Sequence, residues 1–382
     1  MNIGIDKIGF YSPQYYIEMS ELAKARYTEP NKYIIGLGLE RMAIPPITQD
    51  TTSMAANAAA IILDENDKKN IDLVIVATES GTDFSKSIAT SVHTMLDINP
   101  YARSIEMKQA CYSATAGIQL AKGHIALHPD SKALVIASDI SRYGLNTGGE
   151  PTQGAGAVAI LVSKDPKIMT LNNDEVYFTD DVLDFWRPSY SDVAFVDGKY
   201  SNEQYQRFFN ETLKRYLEIN DASLEDFAAL NFHIPYSKMG KKALMSVTNE
   251  EQHPLLFKNF EDSTYYNKRV GNIYTGSLYL SLISLLEKGN LEAGSKLGLF
   301  SYGSGAVGEF FTGNLVEGYK DALVTSHEAM MNDRKQISIP EYERMFNMKL
   351  IEDGGHQILD TSKETSVFYL TEVKHNERIY NK

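Results

Sequence analysis

Three stretches of the chain are apolar at nearly every position: Leu73-Val74-Ile75-Val76-Ala77-Thr78, Ala133-Leu134-Val135-Ile136-Ala137-Ser138 and Ala157-Val158-Ala159-Ile160-Leu161-Val162. A strand with one wet face alternates apolar and polar residues. A strand that is apolar throughout needs cover on both faces, and runs of this length fit strands better than helices. They therefore predict a central sheet with helices packed against both sides. One such helix is signalled by Asp50, a residue suited to an N-cap, ahead of the alanine-rich body Met54 to Leu63. The chain reads as α/β. Its 382 residues allow one large or two medium domains with a substantial core.

A weak internal repeat divides it. In the first half a strand ends at Thr78-Glu79, Cys111 follows, and Ser131-Lys132 leads into the second apolar run. In the second half the strand-like Ala229-Leu230-Asn231-Phe232 ends at His233, Asn272 opens the helical pattern Tyr274 to Leu286, and Ser295-Lys296 leads into Leu297-Gly298-Leu299-Phe300. A repeat of this length implies a duplicated α/β unit rather than a solenoid. The expected division is 1–165, carrying Glu79 and Cys111, and 166–382, carrying His233 and Asn272 with a covering tail from about residue 311. Residues 165–225 form a connecting segment rich in Asp and aromatics.

Several functions are disfavoured. A net charge of −13 is the wrong balance for a nucleic-acid binder. No apolar run approaches the roughly 20 residues that span a bilayer, and the first residues lack signal-peptide character, so a cytoplasmic location is expected. A lone cysteine excludes an internal disulfide, and the dispersed histidines make no HExxH or CxxC pattern, so no metal is expected.

Chemistry gathers around Cys111. The run Glu106-Met107-Lys108-Gln109-Ala110-Cys111-Tyr112-Ser113-Ala114 passes from an extended stretch into small residues and then a helical pattern. The thiol thus sits at a helix N-terminus, where free N–H groups and the macrodipole would favour a thiolate or hold an oxyanion. Glu79 lies at the C-terminal mouth of a buried strand, where open α/β sheets place ligands and where burial raises a carboxyl pKa. Capping the next helix is its bland alternative. His233 reads alone as a core histidine, but the repeat places it opposite Glu79. Lys238, Lys241 and Lys242 follow it, a basic cluster suited to phosphates in an acidic chain. Gly303-Ser304-Gly305-Ala306-Val307-Gly308 formally matches the dinucleotide fingerprint. No clear helix follows, so close backbone approach and an oxyanion N–H fit these glycines better. Gln153-Gly154-Ala155-Gly156-Ala157 reads as another tight approach. The set Cys111, His233 and Asn272 also admits a papain-like protease, though the alternating α/β context is wrong for one.

The ordered blocks Val76-Ala77-Thr78-Glu79-Ser80, Glu106 to Tyr112, Arg142-Tyr143-Gly144-Leu145-Asn146, Gly148 to Ala157, Asp184-Phe185-Trp186-Arg187-Pro188, Phe232-His233-Ile234-Pro235, Gly271-Asn272-Ile273-Tyr274 and Phe300-Ser301-Tyr302-Gly303-Ser304-Gly305 carry a resemblance. Over essentially its whole length the chain resembles the bacterial-type hydroxymethylglutaryl-CoA synthases of the thiolase superfamily. The resemblance implies the thiolase-like five-layer αβαβα fold built from two similar halves, and a homodimer. It also implies condensation of acetyl-CoA with acetoacetyl-CoA and water on the mevalonate route to isoprenoids. The CoA thioesters are then substrates, and no further cofactor is implied.

By the same resemblance Cys111 would carry the acetyl group. Glu79 would act as base and acid, and His233 would polarise the acceptor ketone. Asn272 and Ser304 would orient the acyl groups, with the N–H groups of Cys111 and Ser304 as oxyanion donors. Tyr143 and Thr152 would line the acyl pocket, and Ser201 with Lys238, Lys241 and Lys242 would contact CoA. Glu29 stands where the family pattern has Asp, which puts a nucleotide contact there in doubt. A ketoacyl synthase, or a polyketide β-branching synthase acting on an acyl carrier protein, remains the alternative.

Overall fold

Gly4 marks the seam of the molecule: a side chain there would meet the Met169 carbonyl oxygen at 2.0 Å, so two strands approach where only hydrogen fits. In this computed structural model, which describes residues 1–381, the first half contributes β1 (Ile3–Tyr11), β2 (Ile71–Ala77), β3 (Arg103–Met107), β4 (Lys132–Ser141) and β5 (Gly154–Lys164). They lie in the order β1-β5-β4-β2-β3, with β5 antiparallel to both neighbours and β4, β2 and β3 parallel.

The second half contributes β6 (Met169–Leu171), β7 (Val176–Thr179), a separate hairpin of β8 (Phe185–Trp186) and β9 (Phe195–Val196), then β10 (Ala229–Phe232), β11 (Lys296–Gly303) and β12 (Val307–Leu315). The order β6-β12-β11-β10 repeats the first half in both sequence and strand sense, without a counterpart of β3 among the described residues. β7 extends the far end of β12 instead. Pairing of Gly4 with Thr170 and Ile5 with Met169 joins the halves into one ten-stranded sheet, nine strands in a row with β7 off the row.

Helices α1 (Thr51–Ile62), α2 (Ile88–Met95), α3 (Ser113–Leu127), α4 (Gly198–Ile219), α5 (Ser237–Val247), α6 (Pro254–Ser263) and α7 (Ser277–Lys288) cover the sheet. Asp50 caps α1 as its sequence predicts: its side chain accepts from the Ser53 N–H at 2.9 Å, and Ser53 Oγ accepts from the Asp50 N–H at 2.9 Å.

The apolar runs split into two faces with the period of two that a pleated strand imposes. Val74, Val76, Leu134, Ile136, Ala157, Ala159 and Leu161 pack on α1 and α2. Ile75, Ala77, Val135, Ala137, Val158 and Ile160 pack the other way, into a core shared with α3, α7, Leu297 and Leu299. Beyond β11, Phe232, Phe300, Tyr302 and Phe310 pack on α4, α5 and α6. The layers are helices, sheet, helices, sheet, helices, with α3 and α7 in the middle. Truncating a fully buried residue there, such as Leu282, would cost about 2–5 kcal/mol.

Three sequence expectations need correction. The covering tail begins after Leu315, not near residue 311, because Phe311–Leu315 complete β12 inside the sheet. Residues 165–225 are not a connector: they supply β6, β7, the β8–β9 hairpin and α4. The helical pattern after Asn272 breaks into a short 3₁₀ turn, Tyr274–Gly276, followed by α7.

Candidate active site

Glu79 sits two residues past the end of β2, in a turn that one buried carboxylate organises. Asp139 Oδ1 accepts from Thr78 Oγ1 (2.8 Å), Glu79 N–H (2.9 Å), Ser80 N–H (3.1 Å) and Ser80 Oγ (2.6 Å). Its Oδ2 accepts from the Thr275 N–H at 3.1 Å and Thr275 Oγ1 at 2.6 Å. Asp139 thereby fastens the Glu79 turn to the Tyr274–Gly276 turn of the other half.

Cys111 occupies a tight turn immediately before α3. Tyr112 and Ser113 donate backbone hydrogen bonds back to Gln109 and Ala110, and Ala110 adopts φ +44°, a region that non-glycine residues enter rarely. Gly303 closes the turn from the other side. A Cβ there would meet the Gln109 carbonyl at 2.5 Å and the Tyr112 Cβ at 2.6 Å, so the end of β11 rests on the nucleophile turn. The Gly303–Gly308 motif is therefore the turn between antiparallel β11 and β12, not a strand-to-helix dinucleotide loop. Gly154 does the same work elsewhere: a Cβ on it would meet the Asn272 backbone at 2.8 Å.

The Cys111 thiol donates to Glu79 Oε1 at 3.1 Å. Both side chains are partly buried, and the thiol faces a cavity. Burial, reinforced by the Asp139 charge, pushes Glu79 up to about 8. Burial and the Glu79 charge hold the thiol well above its ordinary range. The thiolate expected from the helix N-terminus is thus replaced by a thiol, because desolvation and a facing carboxylate outweigh the dipole.

His233 follows β10. Its N–H donates to the Phe300 carbonyl at 2.8 Å, and its carbonyl accepts from the Tyr205 hydroxyl at 2.6 Å. The residue is 2% exposed, and burial pulls its pKa down to about 3, so the ring is neutral. Its Nδ1 has no protein partner among the described residues. Asn272 turns its Oδ1 to the Tyr274 N–H (2.9 Å) and Ser277 Oγ (3.0 Å), leaving its amide nitrogen 3.4 Å from the Tyr143 hydroxyl. Tyr143, Phe185 and Tyr274 meet edge to face with ring centres 5.7–6.2 Å apart.

Cys111, His233, Tyr143, Thr152, Ser201, Asn272 and Ser304 all line one cavity of about 740 Å³. The lysines do not. Tyr236 and Met239 at the start of α5 face that cavity, whereas Lys238 and Lys241 face a smaller one of about 200 Å³, and Lys242 is exposed. Lys241 is already paired with Glu261 at 3.0 Å, as is Lys268, so the cluster carries less free charge than its sequence suggests.

Sequence reasoning assigned no role to three residues that shape the site. Asp139 is the one acidic residue of β4 and, after Lys132 at its start, its only charge, which is a usable signal for a buried, committed carboxylate. Asp184, wholly buried, accepts from Tyr302 (2.7 Å), Ser201 (3.3 Å) and the Gly305 N–H (3.1 Å). Arg187 donates to the Glu79 carbonyl at 2.7 Å. Among the described residues no group of three or more His, Cys, Asp and Glu is placed to hold a metal ion, and no helix is long and apolar enough to cross a membrane.

Residues 1–167 match the family model for the hydroxymethylglutaryl-coenzyme A synthase N terminal region, and residues 245–382 match that for the C terminal region. The chain is 53% identical to a hydroxymethylglutaryl-CoA synthase of Enterococcus faecalis, over 95% of this chain and 96% of that one. It is 32% identical to a polyketide biosynthesis 3-hydroxy-3-methylglutaryl-ACP synthase of Bacillus subtilis, over 100% and 99% of the two chains. A crystal structure of an HMG-CoA synthase complexed with CoA superposes with a TM-score of 0.97 at 47% identity, covering all of both chains. The five layers are those of the thiolase-like fold. With both family models matched and a relative of this similarity along nearly its full length, the chain belongs to the hydroxymethylglutaryl-CoA synthase family.

Proposed function

We propose that this chain condenses acetyl-CoA with acetoacetyl-CoA and water to 3-hydroxy-3-methylglutaryl-CoA and CoA, on the mevalonate route to isoprenoids. The observation that carries the chemistry is the 3.1 Å contact of Glu79 with Cys111, whose cavity His233 also lines. Glu79 takes the thiol proton as sulfur attacks the acetyl-CoA carbonyl and passes it to the departing CoA sulfur, so CoA leaves as its thiol and the carboxylate is free again. Glu79 then removes a methyl proton from acetyl-Cys111. The N–H groups of Cys111 and Ser304 hold the enolate oxygen.

The enolate carbon attacks the acceptor ketone, which the neutral His233 ring polarises by donating a hydrogen bond. Glu79 returns the proton to the new alkoxide, and water releases the product from sulfur. A carboxyl pKa near 8 suits a group that must both accept and donate protons near neutrality. Each step uses side chains of the chain, with CoA thioesters as substrates.

Asn272, Tyr143 and Thr152 shape the acyl end, Ser201 contacts the CoA arm, and Lys238, Lys241 and Lys242 meet its phosphates from α5. The same reading divides the chain into halves at 165/166, assembles it as a homodimer and locates it in the cytoplasm. The test is CoA release measured with and without acetoacetyl-CoA, alongside mass spectrometry for one acetyl group on Cys111. Release that ignores acetoacetyl-CoA would overturn the assignment. Turnover of an acetylated carrier protein, with none of acetyl-CoA, would favour a carrier-dependent synthase instead. A ketoacyl synthase has no need of Glu79.

A further inference from the structure

Glu309, on β12, is 1% exposed, and no step above uses it. Its Oε2 accepts from the Tyr112 hydroxyl at 2.6 Å, and its Oε1 accepts from the Gln119 side-chain amide at 2.6 Å. Tyr112 directly follows Cys111, and Gln119 lies two turns along the same face of α3. Between them Thr115 donates to Ser301 Oγ at 2.7 Å and lies 2.7 Å from the Tyr279 hydroxyl. A polar stripe on α3 is thus keyed into β11, β12 and α7, all elements of the other half. Gly303 presses on Tyr112 from beside it.

A buried carboxylate is not needed merely to hold a helix on a sheet, since apolar side chains of the same volume do that as well or better. What two directed hydrogen bonds add is register. Cys111 belongs to the first half, whereas His233, Asn272 and Ser304 belong to the second. The seating of α3 on β12 therefore governs how the sulfur meets them. We propose that Glu309 is a positioning residue: by fixing Tyr112 and Gln119 it sets Cys111 in register with His233, Asn272 and Ser304, so that acetyl-Cys111 meets the acceptor ketone rather than water.

This inference rests on the condensation proposed above. Its test uses the full chain and three variants, Glu309→Ala, Glu309→Gln and Tyr112→Phe, the last removing one hydroxyl only. CoA release from acetyl-CoA alone reports hydrolysis, and the acetoacetyl-CoA-dependent increment reports condensation. Condensation kcat should fall about tenfold or more in each variant, with both KM values held within about twofold. Hydrolysis should fall less, so the ratio of the two changes, which a mere loss of folded protein cannot produce. Glu309→Ala combined with Tyr112→Phe should be no worse than Glu309→Ala alone. A wild-type ratio in folded variants, or effects that multiply, would overturn the proposal. Should Glu309→Ala fail to fold, Tyr112→Phe decides by itself. Wild-type release that ignores acetoacetyl-CoA would sink the functional reading. A wild-type response with unchanged ratios in the variants would sink only this inference.

Discussion

The hydrogen bond from the Cys111 thiol to Glu79 acts on its two partners in opposite directions. It favours the ionised form of Glu79, which accepts, and the protonated form of Cys111, which donates. Burial and the charge of Asp139 overcome the first effect and leave Glu79 near 8; burial reinforces the second. The pair is consequently one acid–base unit in which a single proton has two sites within reach.

Replacing Glu79 with Ala should separate the two halves of the chemistry. Cys111 keeps its turn and loses a facing negative charge, so its pKa falls and it still takes an acetyl group, more slowly because the carboxylate that accepts the thiol proton is gone. Carbon–carbon bond formation loses its base and should drop by about 10²-fold or more. Mass spectrometry after acetyl-CoA alone should show the added acetyl. Acetoacetyl-CoA-dependent CoA release should be nearly absent, and unimpaired condensation would refute the assignment of the base.

The same carboxyl makes a stability prediction with a definite sign. Its folded pKa of about 8 lies above the ordinary carboxylate value, so the folded protein retains a proton that the unfolded chain has lost. Stability from this group is complete below about pH 4.5 and is lost as pH rises toward 8. Glu79→Gln, neutral throughout, should therefore be more stable than wild type by about 2 kcal/mol at pH 8, allowing for the partial exposure of the residue, with no gain near pH 4.5. Thermal melts across this range read the difference directly. A gain that grows as pH falls would contradict the assigned shift.

Legibility from sequence followed the range of the interactions. Asp50 as a cap and the three apolar strands rest on local chemistry and on period, both visible in the order of residues. The equivalence of Glu79 and His233 required only that two similar stretches be recognised, and the strands they follow, β2 and β10, do occupy matching sheet positions. The state of Cys111 was not legible, because it depends on a carboxylate 32 residues away and on burial that no local pattern encodes. The ion pair of Lys241 was hidden for the same reason: its partner Glu261 lies 20 residues on, across the α5–α6 turn. The role of Asp139 was not legible although a carboxylate deep in a buried strand is conspicuous, since its six donors come from two distant turns.

His233 should show no titration near neutrality. Burial holds its ring neutral down to about 3, so the hydrogen bond it offers an acceptor ketone is the same from pH 5.5 to 8. Acetoacetyl-CoA affinity measured on a Cys111→Ser variant should be flat over that interval. A break near pH 6.5 would show a solvated ring. His233→Ala should weaken the acceptor about 10-fold or more while leaving acetylation of Cys111 intact.

Gly303→Ala tests the pressure of β11 on the nucleophile turn. The new methyl would lie 2.5–2.7 Å from the Gln109 carbonyl and from the Tyr112 Cβ and nitrogen, none of which is the end of a flexible side chain. The turn must shift, at a cost of about 1–3 kcal/mol in stability. Acetylation of Cys111 should slow more than the melting temperature alone explains, because displacement falls on the reacting atom. Unchanged acetylation in a destabilised protein would mean that the turn absorbs the strain without moving the sulfur.

Asp139→Asn should move the catalytic pH profile rather than only reduce its height. Asp139 stands second only to burial in raising Glu79, and it also holds the Glu79 turn through the Thr78, Glu79 and Ser80 donors. An amide removes the negative charge and keeps one acceptor oxygen. Glu79 should then ionise at lower pH, and the rise of condensation with pH should move to the acid side of its wild-type position near 8. The turn is also less well held, since Asn cannot accept from all six donors and brings two hydrogens of its own, so maximal activity should fall about 10-fold. The two effects are separable: the midpoint of kcat against pH reports the charge, and its plateau reports the geometry. A lower plateau with an unmoved midpoint would mean that Asp139 acts on Glu79 only as a clamp, with the raised pKa owed to burial alone.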